Sequence, residues 1–268
     1  MEQRDKFKGV ESIKFYSRFT DDASCLEYLS SIKRADGFKC KKCGHTNYCN
    51  DRYPYSRRCT RCKYDESVTS GSMFDKIKFP LVYAFHIAFK ISTKKKGMSS
   101  LELAEEYCMR QKTVWEFKRK IQKAMRSSGN YPLKGEVHVD EFYIGGEEEG
   151  ITGRSTEGKK KLVIVALEIV RDGVGRAYAQ VIDDASASSF RPFFDRYISK
   201  DAKVITDEWS GYLPLKKDYP KLEQRPSDKG KGHPQIHIHI MNIKGWLRGI
   251  HHHCSKEHLQ GYLDEYHF

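Results

Sequence analysis

No stretch of the sequence is apolar for long enough to cross a bilayer: the longest runs, Phe79 to Ile91 and Lys161 to Val170, are short and interrupted by polar groups. The opening residues, Met-Glu-Gln-Arg-Asp-Lys-Phe-Lys, also lack the apolar core of a secretory leader. A cytosolic protein with no membrane partner is therefore expected. Carboxylates are scarce relative to cations. The 268 residues contain 36 Asp plus Glu against 48 Lys plus Arg, a formal charge of +12. That excess favours an anionic partner, nucleic acid first among them. At roughly 150 residues per domain the length suggests one large and one small module.

Cysteine is present in number, eight in all, but a reducing compartment argues against a disulfide framework. Cys25, Cys49, Cys108 and Cys254 have no paired spacing and read as small buried apolar residues. The other four stand as Cys40-Lys-Lys-Cys43 and Cys59-Thr-Arg-Cys62. A C-x-x-C turn aims two thiolates at one point, and two such turns complete the tetrahedral shell that Zn²⁺ prefers. His45 and Cys49 are substitute ligands of poorer spacing, and the βαβ context of a redox pair is missing. Gly44 permits a tight turn, and Tyr48, Tyr53 and Tyr55 suit the strands of a small ribbon. So small a segment needs its metal to fold, since a structural zinc supplies on the order of 10 kcal/mol. Cations interleave with aromatic residues from Lys39 to Lys63, as a phosphate-neutralising face requires.

Upstream of the ribbon, residues 13 to 36 read as partly helical, with Asp21 or Asp22 as a cap. Downstream, residues 79 to 93 predict a helix opening near Pro80 and ending at the turn Lys94-Lys95-Lys96-Gly97. Ser99 or Ser100 caps a short helix, and Gln111 to Met125 forms a longer amphipathic one. Short helix, turn, basic helix is the helix-turn-helix pattern, although an ordinary helical hairpin gives the same signal. In the former, residues at the start of the second helix reach base edges in double-stranded DNA. Gln111, Lys112 and Thr113 occupy those positions, with Arg119 and Lys120 toward the phosphate backbone.

From Glu136 the texture changes to strands: Glu136 to Gly145, Lys161 to Val170, Gly175 to Ile182, and Ala202 to Thr206. A helix capped by Asp184 or Ser186 precedes the last. The order β, β, β, α, β is that of an RNase H-like domain, in which the first and fourth strands are neighbours. Two aspartates close β-branched runs, Asp140 in Val-His-Val-Asp-Glu-Phe-Tyr and Asp207 in Val-Ile-Thr-Asp-Glu-Trp-Ser. That topology brings them together, as needed to hold a divalent cation against phosphate oxygens. Each alone reads equally as a turn residue. After a basic loop, Lys216 to His233, His237 lies seven residues before Lys244, two helical turns away and so on one face. The triple His251-His252-His253 is set aside, because adjacent side chains diverge.

Taken in order, the cysteine quartet, Thr69-Ser-Gly-Ser-Met-Phe, Val139-Asp140-Glu141 with Gly145-Gly146, Thr206-Asp207 with Gly211-Tyr212, Asn242-Ile-Lys-Gly-Trp-Leu-Arg-Gly, His252, Ser255 to Leu259 and Tyr262-Leu-Asp-Glu265 make the chain resemble insertion-sequence DDE transposases of the ISXO-two-like type. The resemblance spans most of the chain. It implies an α/β architecture: residues 1–75 as a helix plus zinc ribbon, 76–130 as a helix-turn-helix-like segment, and 131–268 as an RNase H-like mixed sheet with flanking helices. It also implies cleavage at terminal inverted repeats and strand transfer with Mg²⁺ or Mn²⁺, by a homo-oligomer acting on terminal and target DNA. Asp140 and Asp207 match the first two acidic positions. Asn242 and Lys244 match the family's Asn-x-Lys, whereas the position seven before Lys244, commonly Glu in DDE enzymes, is His237. Both stand as third residue. The family's closing Arg and Asn are absent after Glu265, pointing to a shortened copy. A zinc-ribbon regulator without catalysis is the alternative, and it has no use for the ordered Asp140, Asp207, Asn242 and Lys244.

Overall fold

The computed structural model describes residues 11–145, 160–171, 173–226, 228, 232–251 and 254–268. Gly146 and His252, both part of the resemblance, and His253 lie outside the described residues. The chain divides into two compact units, Met1–Ile121 and Gln122–Phe268.

In the first unit, α1 (Ser12–Arg18) leads into α2 (Asp22–Lys33). The Asp21 carboxylate caps α2 by accepting from Ser24 N at 2.8 Å. Three short antiparallel strands follow in the order β1-β2-β3: Tyr48–Asn50, Arg57–Cys59 and Asp65–Glu66. Among the described residues their core is Phe38, Cys40 and Cys59, with Cys62 and Tyr64 against it. Such a ribbon is too small to hold itself by apolar burial. Tyr53 and Tyr55, expected in strands, fall instead in the β1–β2 loop, where Tyr55 takes φ +59°. Polar ties hold the segment that follows: Lys33 Nζ donates to the Ser67 and Ser70 carbonyls at 2.7 and 3.0 Å and pairs with Glu66 at 3.1 Å. Then come α3 (Leu81–Thr93), α4 (Ser100–Glu106) and α5 (Gln111–Met125). The Ser99 hydroxyl caps α4 by accepting from Glu102 N. Buried Ala84, Ile87, Leu103, Val114 and Phe117 recur at helical spacing, so these three helices share an apolar interior.

The second unit is a five-stranded mixed sheet in the order β6-β5-β4-β7-β8. The strands are β4 (Glu136–Ile144), β5 (Lys161–Val170), β6 (Gly173–Ile182), β7 (Lys203–Thr206) and β8 (Leu222–Gln224). β4, β5 and β6 form an antiparallel meander, and β7 returns through α6 (Ala187–Tyr197) to pair parallel with β4. The first and fourth strands are thus neighbours, as the order of elements predicts. β5 is apolar without interruption from Leu162 to Leu167, where both its faces are covered. On one face Val137, Val139, Ile164 and Ala166 pack with Phe190, Phe193 and Phe194 of α6 and with Tyr212 of a 3-10 helix, Ser210–Lys217. On the other, Phe142, Val163 and Val165 pack with Ile236, Ile240, Ile243 and Leu247 of α7 (Pro234–Ile250) and with Leu259 and Leu263 of α8 (Lys256–Tyr266). The architecture is α/β, a zinc ribbon followed by an RNase H-like mixed sheet with flanking helices. β8, three residues inside the segment expected to be loop, has too little apolar pattern to signal a strand.

At the C-terminus, His267 Nδ1 donates to the Leu263 carbonyl at 2.7 Å, which leaves its Nε2 to accept from His239 Nε2 at 3.1 Å. Burial pushes the His267 imidazole down to about 4. Its neutral form is favoured by folding, so its stabilisation is complete above about pH 6.5 and is lost as pH falls toward 4. Over that window the second unit is expected to lose about 3 kcal/mol of stability. Urea melts from pH 7 to 4 should show the loss in the wild type and a flatter profile in His267→Phe.

Candidate metal centres

Two C-x-x-C turns in the ribbon repeat one backbone device. Gly44 N donates to the Cys40 carbonyl and Cys40 N to the His45 carbonyl, both at 2.8 Å; Lys63 N donates to the Cys59 carbonyl at 3.0 Å and Cys59 N to the Tyr64 carbonyl at 2.9 Å. The fifth residue of each turn is left-handed, Gly44 at φ +73° and Lys63 at +59°. Glycine takes that conformation freely, and lysine only under constraint. The four Sγ atoms lie within 4.8 Å of one another, with Cys40 to Cys62 at 3.5 Å and Cys43 to Cys59 at 3.6 Å. A zinc tetrahedron with bonds of about 2.3 Å has edges near 3.8 Å, so the quartet fits that ion. Backbone N–H groups of Cys62 and Arg61 bring the Cys59 thiol down to about 7. Cys62, despite the N–H of Tyr64, is driven up to about 12 by burial and by the three neighbouring sulfurs. Four thiolates together need a cation among them. His45 bonds Thr60 Oγ1 instead. Of the other cysteines, Cys25 and Cys254 are buried as expected, whereas Cys49 and Cys108 are exposed.

In the second unit the parallel register pairs Val137 with Val204 and His138 with Ile205. Carried two residues onward, it sets Asp140 beside Asp207, with neighbouring strands about 4.8 Å apart. Alternation along β4 sends Val137, Val139 and Glu141 toward α6, and His138, Asp140 and Phe142 toward α7. Asp140 Oδ1 accepts from Glu141 N at 2.8 Å, and Asp207 Oδ1 from Trp209 N at 3.1 Å. The Asp207 backbone is held by Gln224 Nε2 of β8, which donates to the Asp207 and Trp209 carbonyls. Behind the pair, fully buried Tyr212 donates to Glu141 Oε2 at 2.6 Å. Burial and then the Glu141 charge, with Asp140 and Asp207 adding to it, push this phenol well above its ordinary value. A Cβ at Gly211 would meet the Ala185 carbonyl oxygen at 2.4 Å, so Gly211 is the residue that lets Tyr212 enter.

α7 runs beside β4, and its side chains meet the strand in order. The His233 ring lies 5.3 Å from that of His138, His237 Nδ1 lies 3.7 Å from Asp140 Oδ2, and Lys244 Nζ sits 5.4 Å from the centre of the Phe142 ring. Burial and Arg248 lower the Lys244 ammonium, while Asp140 opposes them. A helix turns about 100° per residue, so Asn242 is about 140° around α7 from His237. Its side chain is exposed. His237 and Lys244 therefore share the face toward Asp140, and Asn242 does not. Among the described residues, only the cysteine quartet closes to within 4.8 Å. Asp140, Asp207 and His237 do not close to that distance. Sequence reading missed the supporting residues: His138 and His233, Gln224, and the Tyr212–Glu141 bond. Glu141 and Gly211-Tyr212 had been noted as motif residues, without their bond.

On α5, Gln111 and Lys112 are exposed and Thr113 is half-buried at the N-terminal end. Arg119 lies over the Trp115 ring at 5.9 Å. Lys120 turns inward and donates to the Asp75 carbonyl, as buried Lys118 does to that of Met98. Part of the helix charge is therefore used inside the fold.

Two outcomes follow. Zinc titration of the metal-free chain should saturate at about one equivalent and order the ribbon, and Cys59→Ser should abolish both. Gly211→Ala should lower the stability of the second unit by about 1–3 kcal/mol, measured by urea melts, through the clash with Ala185.

Comparison with curated proteins finds no match. The model of the ISXO2-like transposase domain matches residues 132–268, the unit that carries Asp140, Asp207, His237 and Lys244. That match covers just over half of the chain, which therefore belongs to the ISXO2-like transposase domain family.

Proposed function

We propose that the chain is an insertion-sequence transposase that binds terminal inverted repeats, cuts DNA at their ends and joins a 3′-hydroxyl to target DNA. The observation that carries this reading is the β4–β7 register, which extends to put Asp140 beside Asp207 in a domain of the transposase family. The reading divides the chain into a helix and zinc ribbon over 1–75, a DNA-binding helix-turn-helix over 76–130 and the catalytic domain over 131–268. In the second part Gln111, Lys112 and Thr113 face base edges, and Arg119 faces phosphate. Lys120, bonded to Asp75, would have to release that contact to do the same.

At the catalytic centre the carboxylates of Asp140 and Asp207 would hold divalent cations, Mg²⁺ or Mn²⁺. Such ions would supply Lewis acidity toward an attacking water or 3′-hydroxyl and toward the leaving oxygen. His237 completes the donor set, since it is the α7 residue beside Asp140, whereas family resemblance alone favours Asn242. The lowered Lys244 ammonium pairs with a phosphate near the cut. Tyr212 and Glu141 tie the 3-10 helix to β4 behind the carboxylates. A synaptic homo-oligomer follows from the need to act on two ends at once.

Strand cleavage of duplexes that carry the DNA flanking the coding region tests the reading. Asp140→Asn and Asp207→Asn should each lose at least a thousandfold in cleavage while still binding the ends. His237→Ala should lose a hundredfold or more and Asn242→Ala less than fivefold. Loss in Asn242→Ala with activity kept in His237→Ala would exchange the two roles, and metal-independent function of the wild type would favour the regulator.

A further inference from the structure

Between the C-terminal end of α2 and the β1–β2 loop lies a cavity of about 420 Å³, lined by Arg34, Asp51, Arg52, Tyr53, Tyr55 and Arg57, among others. Its size is that of a small-ligand site. Most cations nearby are already committed. Arg58 makes a two-pronged bond to Asp65 and reaches Asp51 at 4.0 Å, and Lys41 pairs with Glu66. Arg52 donates to the Tyr53 hydroxyl at 2.6 Å. Arg34 and Arg57, like Arg52, have no carboxylate within ion-pair distance among the described residues. Arg34 Nη1 donates to Ser30 Oγ at 3.0 Å, and its buried Nη2 has no hydrogen-bond partner among the described residues. Burial and then the charge of Arg57 push the Arg34 guanidinium below its ordinary value. The Arg57 guanidinium carbon lies over the Tyr48 ring, 3.8 Å from its centre.

Two guanidiniums that repel one another and line one cavity are stabilised by an anion that bridges them. The rest of the lining indicates which anion. Tyr53 and Tyr55 are 59 % and 41 % exposed in a loop whose hydrogen bonds, Asp51 N to the Ser56 carbonyl and Ser56 N to the Tyr53 carbonyl, hold it in place. Exposed rings beside an anion site stack nucleobases. Bases inside a duplex are stacked on each other and cannot reach such rings, whereas an unpaired nucleotide can.

We propose that this cavity binds one unpaired nucleotide of a DNA strand, with its phosphate between Arg34 and Arg57 and its base against Tyr53 and Tyr55. Asp51, balanced by Arg58, offers an acceptor to the base edge. The proposal rests on the reading of the chain as a DNA-processing protein. It adds a single-strand site on the ribbon, separate from the duplex contacts assigned to α5.

Fluorescence anisotropy of the full, zinc-loaded chain in buffer without Mg²⁺ or Mn²⁺ tests it, using a labelled single-stranded oligonucleotide and a blunt duplex of the same length. Arg34→Gln with Arg57→Gln should weaken single-strand binding at least tenfold, flatten its logarithmic salt slope by about 1, and leave duplex binding within twofold. Tyr55→Gly removes a ring and relieves the φ of +59°. It should therefore fold at least as well as the wild type and still lose roughly tenfold on the single strand. Unchanged zinc content and circular dichroism establish that the variants are folded. A deoxynucleoside monophosphate should displace the strand weakly and inorganic phosphate not at all. Equal losses on strand and duplex, no loss in Tyr55→Gly, or displacement by phosphate as effective as by nucleotide would overturn the proposal. A mononucleotide that binds as tightly as the strand would also overturn it, by making the free nucleotide the ligand. Because no divalent cation is present, a chain that binds strands here but never cuts DNA would keep the cavity assignment and lose the transposase reading.

Discussion

Parallel pairing of β4 with β7 is the constraint on which the second unit depends. Three antiparallel strands could stand as a meander alone, but only the return through α6 puts a strand on the far side of β4 in the same direction. Parallel strands cannot be joined by a tight turn, so the crossover helix is obligatory, and its aromatic residues fill one face of the sheet. Because both strands run the same way, Asp207, just past the end of β7, falls beside Asp140 in the middle of β4, which runs on to Ile144. The two carboxylates share a parity and so emerge on one face of the sheet. In open α/β sheets functional groups gather where strands end in this way.

Around that pairing the chain arranges three further elements, each with a separate task. β8 adds Gln224, whose side-chain amide holds the backbone after Asp207. The 3-10 helix inserts Tyr212 beneath the carboxylates, which Gly211 allows by lacking a Cβ. α7 lies along β4 with its apolar stripe on the sheet and with His237 and Lys244 on the flank next to Asp140. One buried hydroxyl, one side-chain amide and one helix phase thus set the surroundings of two aspartates.

Much of this was legible in the sequence, and the reasons differ by element. β5 matches its expected bounds, Lys161 to Val170, because its stretch Leu162 to Leu167, buried on both faces, leaves a strong apolar run. α5 matches from Gln111 to Met125 because amphipathic spacing over fifteen residues is hard to mistake. The cysteine quartet was readable because metal geometry demands a spacing that other causes seldom give. β8 was not readable, since a three-residue edge strand is held by its neighbour more than by its own composition. Tyr53 and Tyr55 misled for a related reason: aromatic content signals strand or surface ring equally, and here the loop presents them outward. The rivalry of His237 and Asn242 turns on helix phase, which depends on which residues of α7 the sheet buries. Ile236, Ile240, Ile243 and Leu247 fix that phase, and with it the side on which each polar residue emerges.

The central claim is that Asp140, Asp207 and His237 converge on one divalent cation. Pulsed electron paramagnetic resonance of Mn²⁺ added to the zinc-loaded chain measures this directly, because a directly bound imidazole couples its nitrogen to the metal's electrons. The account predicts a bound-Mn²⁺ signal with nitrogen coupling in the wild type, loss of the coupling alone in His237→Ala, and loss of bound Mn²⁺ in Asp140→Asn. Mn²⁺ bound without nitrogen coupling, at an affinity that Asp140→Asn leaves unchanged, would contradict it.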